Sequence, residues 1–320
     1  MKHLLVRACT AVAVASIATA GCTAQGPDGS GTTAKDEAPP RVRELTDADR
    51  LVLNRAERLH VRDCMTRQGH SYWVGLPPGA DESRSTGYLS TDVGWAKRHG
   101  YGSRITAKVL KARRTNPNVL YRERLSPSRL HAYDSALEGG RGTAVLKVRV
   151  PSGATISSRL GGCEAEAQEW LYGDLKTWFR VSRIATNLTP LYASRLMRDP
   201  EFTTAQSAWA ACMRRGGNNY ATPTGVQDAL PSLTRGLPEK KAFAVEVRLA
   251  VAEATCAGSS GLAGTGSRLE RHYVNGLRGE YGDVLDDYAR LERTALTRAR
   301  TRVTPSTPVA DGHGRTEETP

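Results

Sequence analysis

Two stretches of this chain end in the same way, and that repetition limits how it can fold. From Cys64 to Tyr72 and from Cys212 to Tyr220 the residues agree at five positions: Met follows each cysteine at once (Met65, Met213), Arg comes at the third place (Arg67, Arg215), Gly at the fifth (Gly69, Gly217) and Tyr at the eighth (Tyr72, Tyr220). Each copy reads as the end of a helix. Glycine supplies the left-handed residue that stops it, and arginine in the last turn faces the partial negative charge of unpaired carbonyls. The chain is therefore expected to hold two related halves, about 46–185 and 186–300.

The cysteines sharpen that expectation. Outside the first 22 residues there are four, Cys64, Cys163, Cys212 and Cys256, and an even number in an exported chain implies two disulfides with three possible connectivities. Each repeated helix end is followed by one further cysteine before the next copy or the end, so the repeat favours Cys64 with Cys163 and Cys212 with Cys256. The second pair gains support from periodicity. Phe202, Ala205, Trp209 and Cys212 share one helical face, as do Ala242, Val245, Leu249, Ala252 and Cys256. A metal site is not expected, because no two cysteines lie within four residues of each other and tetrahedral zinc is usually held by such close pairs. Nor is there a Cys-x-x-Cys for thiol exchange.

Other signals point to a mainly α (α+β) fold, a multi-helix domain with one small hairpin. Thr46, with Asp47 and Asp49 behind it, opens a helix to about Gln68, with Val52, Ala56 and Leu59 on one face. Residues 72–74 read as a short extended piece. Thr91 to Gly102 reads as one or two helical turns closed by glycine, and Ser126-Pro127 and Asp199-Pro200 each place a cap before a first-turn proline. Val145–Val150, the turn Pro151-Ser152-Gly153 and Ala154–Ile156 read as a β-hairpin. Helix returns at Gly162, and Pro238 opens another. Val274, Leu277, Tyr281, Val284, Tyr288, Leu291 and Ala295 alternate three and four apart, a heptad seam expected to pack on the domain.

The first residues say where such a fold would reside. Lys2 and Arg7 precede an apolar run from Ala8 to Ala20, which reads as a secretory signal over 1–21 and is too short for a stable span of roughly 20 apolar residues. Thr19-Ala20-Gly21-Cys22 resembles a lipobox, in which Cys22 is lipidated and becomes the amino terminus. Thr19 stands where such boxes carry Leu, so cleavage by an ordinary signal peptidase stays open. Residues 22–45 are Gly, Ser, Thr, Pro and charged groups and read as a flexible tether, and 301–320 as a disordered tail. The expected location is the extracytoplasmic face of the cell membrane, held by the lipid. Losing Lys2 and Arg7 with the signal takes the formal net charge from +12 to +10. Such a surplus favours anionic neighbours, phospholipid head groups or phosphate-bearing cell-wall polymers; envelope proteins are the other expected partners, nucleic acid is not expected in that compartment, and the chain is expected to be a monomer.

With the lipobox and the paired Cys-Met-x-Arg-x-Gly-x-x-Tyr ends, the chain resembles a group of uncharacterised lipoproteins of high-GC actinomycetes. Those proteins combine a Cys-Met-x-x-x-Gly helix end, a Trp-Ala…Gly-Tyr-Gly stretch as at Trp95 to Gly102, a Gly-Cys-x-x-Glu/Ala-Ala stretch as at Gly162 to Ala167, and a second Trp-x-x-Cys-Met copy, over about residues 46–300. The resemblance implies export, anchoring and cysteine pairs. It carries no activity.

Catalytic patterns are missing from the sequence: no Gly-x-Ser-x-Gly, Ser-x-x-Lys, phosphate loop or His-Glu-x-x-His occurs, and no cofactor is expected. Glu164, Glu166, Glu169 and Asp174 cluster at one helix, where their simplest role is to complement its dipole; a wall hydrolase would instead need two carboxylates across a cleft. His70, Tyr72, Trp73 and Tyr220, just past the helix ends, are candidates to line a small ligand site. The expected function is that of a lipid-anchored envelope module for interaction or ligand binding, with a carboxylate hydrolase as the alternative.

Overall fold

A computed structural model describes residues 45–75, 79–84 and 89–303. The signal, Cys22, all but the last residue of the tether, and the tail from 304 lie outside the described residues. Helices dominate: α1 Asp47–Arg67, α2 Ala80–Ser83, α3 Val93–His99, α4 Ser103–Arg114, α5 Pro117–Glu123, α6 Pro127–Glu138, α7 Gly162–Tyr172, α8 Leu175–Ala185, α9 Thr189–Met197, α10 Pro200–Arg215, α11 Pro223–Thr234, α12 Glu239–Ser259, α13 Leu262–Gly276 and α14 Arg278–Val303. Between α6 and α7 lies the hairpin of β1 Val145–Arg149 and β2 Thr155–Arg159, with Val148 opposite Ile156. Its turn closes through Gly153, whose N–H donates to the Val150 carbonyl at 2.8 Å.

These elements form two compact units that are discontinuous in sequence, whereas the division expected near residue 185 was continuous. One unit joins residues 89–104 to Tyr192–Gly276; the other joins 45–84, Ile105–Leu191 and 277–303. Each holds one repeated helix end and one disulfide, so we call them the Trp209 unit and the Tyr133 unit after a fully buried aromatic of each.

In the Trp209 unit, α10, α12 and α13 enclose Phe202, Trp209, Met213, Leu249 and Leu262, each at most 1% exposed. Burying side chains of this size contributes roughly 1.5–3 kcal/mol apiece. Cys212 is bonded to Cys256 with 5.6 Å between Cα atoms, as the two stripes require. The stripe on α12 is only half the story, however. Glu246, Ala250, Glu253, Ala254 and Ala257 are buried too, and α3 packs on that second face through Ala96 and Val93.

In the Tyr133 unit, α1 packs against α7 and α14, and α6 packs against α7. Thr46 and Asp49 form a reciprocal capping box at the start of α1, and Asp49 also accepts a hydrogen bond from Arg300 of α14 at 2.8 Å. The buried line on α1 runs through Leu53 and Ala56 to Val61, Cys64 and Met65, not through Val52 and Leu59, which are half-buried. The reason is that two neighbours share this helix: α14 covers Leu53 and Ala56, while α6 and α7 cover Val61 to Met65. Cys64 is bonded to Cys163 at a Cα separation of 5.5 Å. Phe179 of α8 closes over Val148 and Val150 of the hairpin end. The expected heptad seam is interrupted: α13 stops at Gly276 and α14 starts at Arg278, which puts Val274 in one unit and Leu291 and Ala295 in the other. Gly276 and Gly279 flank the break, where each weakens a helix by about 1 kcal/mol relative to Ala. At its far end α14 continues to Val303, past the expected boundary at 300.

Candidate functional site

The two repeated helix ends adopt one geometry. His70 N–H donates to the Met65 carbonyl at 2.9 Å and Gly69 N–H to Thr66 at 3.0 Å; in the second copy Asn218 donates to Met213 at 2.9 Å and Gly217 to Arg214 at 3.0 Å. This is the paired bonding of a Schellman stop, and Gly69 (φ 78°) and Gly217 (φ 76°) occupy its left-handed position. Both methionines are fully buried. The stops aim the chain that follows them, and there the copies diverge.

After the first stop, the backbone through Tyr72 and Trp73 is irregular, not a strand. It is held as a strand would be, by a side chain: Asn118 at the start of α5 accepts from Trp73 N–H at 2.8 Å and donates to the Trp73 carbonyl at 2.8 Å. Tyr72 is buried, and its hydroxyl accepts from Arg58 at 2.7 Å. Trp73 is 43% exposed, with its ring edge-on to Tyr121 at 5.4 Å. Tyr121 lies 5.7 Å from Tyr133, which meets His70 edge to face at 5.5 Å and has the Arg122 guanidinium 6.0 Å over its ring. Arg122 is itself paired with Asp134 at 2.7 Å. Burial pushes the Tyr133 hydroxyl up to about 12. A shallow recess of about 230 Å³ beside these rings is lined by Val119, Arg122, Glu123 and Leu130. His70, Tyr72 and Trp73 thus come together on one aromatic ledge, with Tyr121, Tyr133 and Arg122, which sequence reading did not single out. Tyr220 belongs to the Trp209 unit, half-buried against its core.

Two of the four clustered acids take separate partners, and the other two are exposed. Asp174 caps α8, accepting from Thr177 N–H at 2.8 Å, and hydrogen bonding from the Thr177 side chain and then from its backbone holds the carboxyl below the usual range. Glu166 pairs with Arg67 and with His60, the latter at 3.0 Å, across the same helix pair that the Cys64–Cys163 bond joins. Glu164, exposed on one side, is pushed up by desolvation and then by the like charge of Glu138, with Arg58 and Arg122 opposing. Glu169 is exposed. Nearby on α1, burial raises the Glu57 carboxyl, against a weak bond from Gln168 at 3.4 Å.

The most deeply placed acids were not foreseen. Glu246 and Glu253, two turns apart on α12, are 4% and 3% exposed in the Trp209 unit. Gly100 to Ser103 wraps around Glu246: Oε1 accepts from Tyr101 N–H at 2.7 Å and Ser103 N–H at 3.0 Å, and Oε2 accepts from the Ser103 hydroxyl. A carboxylate there complements the first turn of α4. Gly100 (φ 61°) is needed for the wrap, because a Cβ on it would lie 2.7 Å from Glu246 Cγ. Tyr101 extends its hydroxyl to Glu253 Oε2 at 2.5 Å. Burial raises the Glu253 carboxyl to about 7, with the Tyr101 bond opposing, and burial beside Glu253 raises the Tyr101 hydroxyl. A recess of about 260 Å³ borders the wrap, lined by Ser103, Arg104, Leu230, Phe243 and Glu246 among others. With both Glu246 oxygens engaged by the wrap, this is a clasp of the Gly100 to Ser103 turn on α12. Sequence reading missed it because a carboxylate on an apolar stripe reads as exposed.

Among the described residues no group of three or more His, Cys, Asp or Glu is placed to hold a metal, and no helix is long and apolar enough to cross a membrane. No family model matches this chain, and comparison with curated proteins and with solved structures gives no match.

Proposed function

We propose that this chain is a lipid-anchored module of the extracytoplasmic membrane face that holds a protein partner of the envelope at the aromatic ledge. One observation carries the reading: Trp73 is exposed and yet fixed, its backbone tied at both polar groups to Asn118 and its ring propped on Tyr121. Trp, Tyr and Arg dominate the residues whose truncation costs most binding energy at protein interfaces, and an already ordered side chain loses little entropy on docking. Two disulfides suit the oxidising compartment. The resemblance to actinomycete lipoproteins and the lipobox support the anchor.

Two measurements test this. Fatty-acid labelling and detergent partitioning of the wild type are expected, and both vanish in Cys22→Ser; a variant that still labels would defeat the anchor. For the ledge, a photo-crosslinker at Val119 in intact cells is expected to give one discrete adduct of added protein mass. Trp73→Ala is expected to reduce it at least about ten-fold, the loss of a typical interface anchor. An equal yield from a crosslinker at exposed Leu233, or no dependence on Trp73, would count against the ledge.

A further inference from the structure

The chain from Ile105 to Arg129 is unusual within its unit: not one of these residues is buried, although the stretch includes all but the first two residues of α4 and the whole of α5. It carries Lys108, Lys111, Arg113, Arg114, Arg122, Arg124 and Arg129 against the single acid Glu123. Its net charge of six is half of the +12 of the whole chain, and four of its seven cations, Lys108, Lys111, Arg113 and Arg114, lie on α4 with no acid among them. We propose that the exposed side of α4 is a second membrane contact that lies on an anionic lipid surface.

The helix has two sides. Ile105, Val109 and Ala112 fall within one narrow sector, and the first two are the only half-buried residues between 105 and 114, so that sector is the more covered side. On the opposite side Leu110, 48% exposed, stands among Lys111, Arg113 and Arg114. Those three cations make no ion pair among the described residues, whereas Lys108 is paired with Glu82. A soluble polyanion would satisfy the cations and leave Leu110 wet. A bilayer interface satisfies both, taking apolar side chains at the level where its head groups take cations. Helices of this kind lie in the plane of the surface, and no span is required. The proposal rests on the anchored reading only for where such a surface is met.

The test uses the mature chain with Cys22→Ser and oxidised cysteines, which has no lipid of its own. It is sedimented with vesicles of equal parts phosphatidylglycerol and phosphatidylcholine, or of phosphatidylcholine alone. Binding is expected to the mixed vesicles only, and to fall as salt shortens the Debye length. Lys111→Ala/Arg113→Ala/Arg114→Ala is expected to weaken it about a hundred-fold, near five-fold per cation. Removing three exposed hairpin cations, Lys147→Ala/Arg149→Ala/Arg159→Ala, is expected to change it only a few-fold. Leu110→Ser is expected to weaken it about ten-fold. No binding to the mixed vesicles overturns the proposal, and so does an equal loss from the two triple variants, which would make net charge the only cause. Soluble polyphosphate bound as tightly as vesicles, with Leu110→Ser without effect, overturns it in favour of a polyanion site. Fatty-acid labelling of the wild type is indifferent to all these results, so the anchor and the second contact fail separately.

Discussion

Glu253 shows how one buried acid couples this fold to pH. Its folded value is about 7 against 4.5 unperturbed, because burial disfavours the charge. Between those values the folded state holds a proton that the unfolded state has lost. The contribution is therefore complete below about 4.5 and disappears as pH rises through about 7. The whole shift corresponds to roughly 3 kcal/mol. Glu253→Gln keeps an acceptor for the Tyr101 hydroxyl and removes the titration. The variant is expected to gain on the wild type by up to that amount at about pH 8 and by little at about pH 5. Urea midpoints at the two pH values measure this, and taking the difference between proteins removes the opposing slopes of other acids, such as Asp174, whose carboxyl is held low. Parallel pH profiles would assign the perturbed titration to another group. Gly100 shows the same closeness of fit from the backbone side, since any side chain there meets Glu246.

At the scale of elements, much of the architecture was legible wherever local chemistry and burial agreed. Thr46 and Asp199 cap the helices they were expected to open, and the hairpin turns at Pro151 to Gly153. Ser126 stands at its expected place but makes no capping bond to the helix. Other elements escaped for identifiable reasons. No residue of α4 is buried, so it presents no stripe facing a core. Thr222-Pro223 opens α11 with the same cap and proline that reveal α10, and Pro231 inside that helix masks the signal. The second face of α12 was hidden by its two glutamates. The ledge was half legible, since Trp73 lies beside the repeat while Tyr121 and Tyr133 arrive from helices that no motif links to it.

The cysteine pairing was legible because a repeat is a long-range signal, and the two bonds act on each unit as a whole. They close rings of 99 and 44 residues in sequence separation. On the loop-entropy account these stabilise by about 4.7 and ~4 kcal/mol. Reduction is expected to lower the melting temperature by at least about ten degrees, and Cys212→Ser/Cys256→Ser to lower it by a smaller amount than reduction of both bonds. Calorimetry with and without reductant measures both effects. A melting curve unchanged by reductant would show that the packed helices need no staple. The Cys64–Cys163 bond is 1% and 0% exposed at its two residues, so reductant is expected to reach it only after local opening.

The pairing of α1 with α14 ties the first described helix to the last described one. At synthesis rates of about 5–20 residues per second, α14 follows α1 by on the order of ten to fifty seconds. Through that interval Leu53 and Ala56 lack the cover that Ala295, Leu296 and Ala299 later provide. The Trp209 unit needs nothing beyond Gly276 and has its whole sequence available while its neighbour is still waiting. Completion of the Tyr133 unit thus waits for α14. A nascent chain halted before Arg278 holds every cysteine of both bonds but not the helix that seats α1, which makes the newborn first helix the segment a chaperone has most reason to hold.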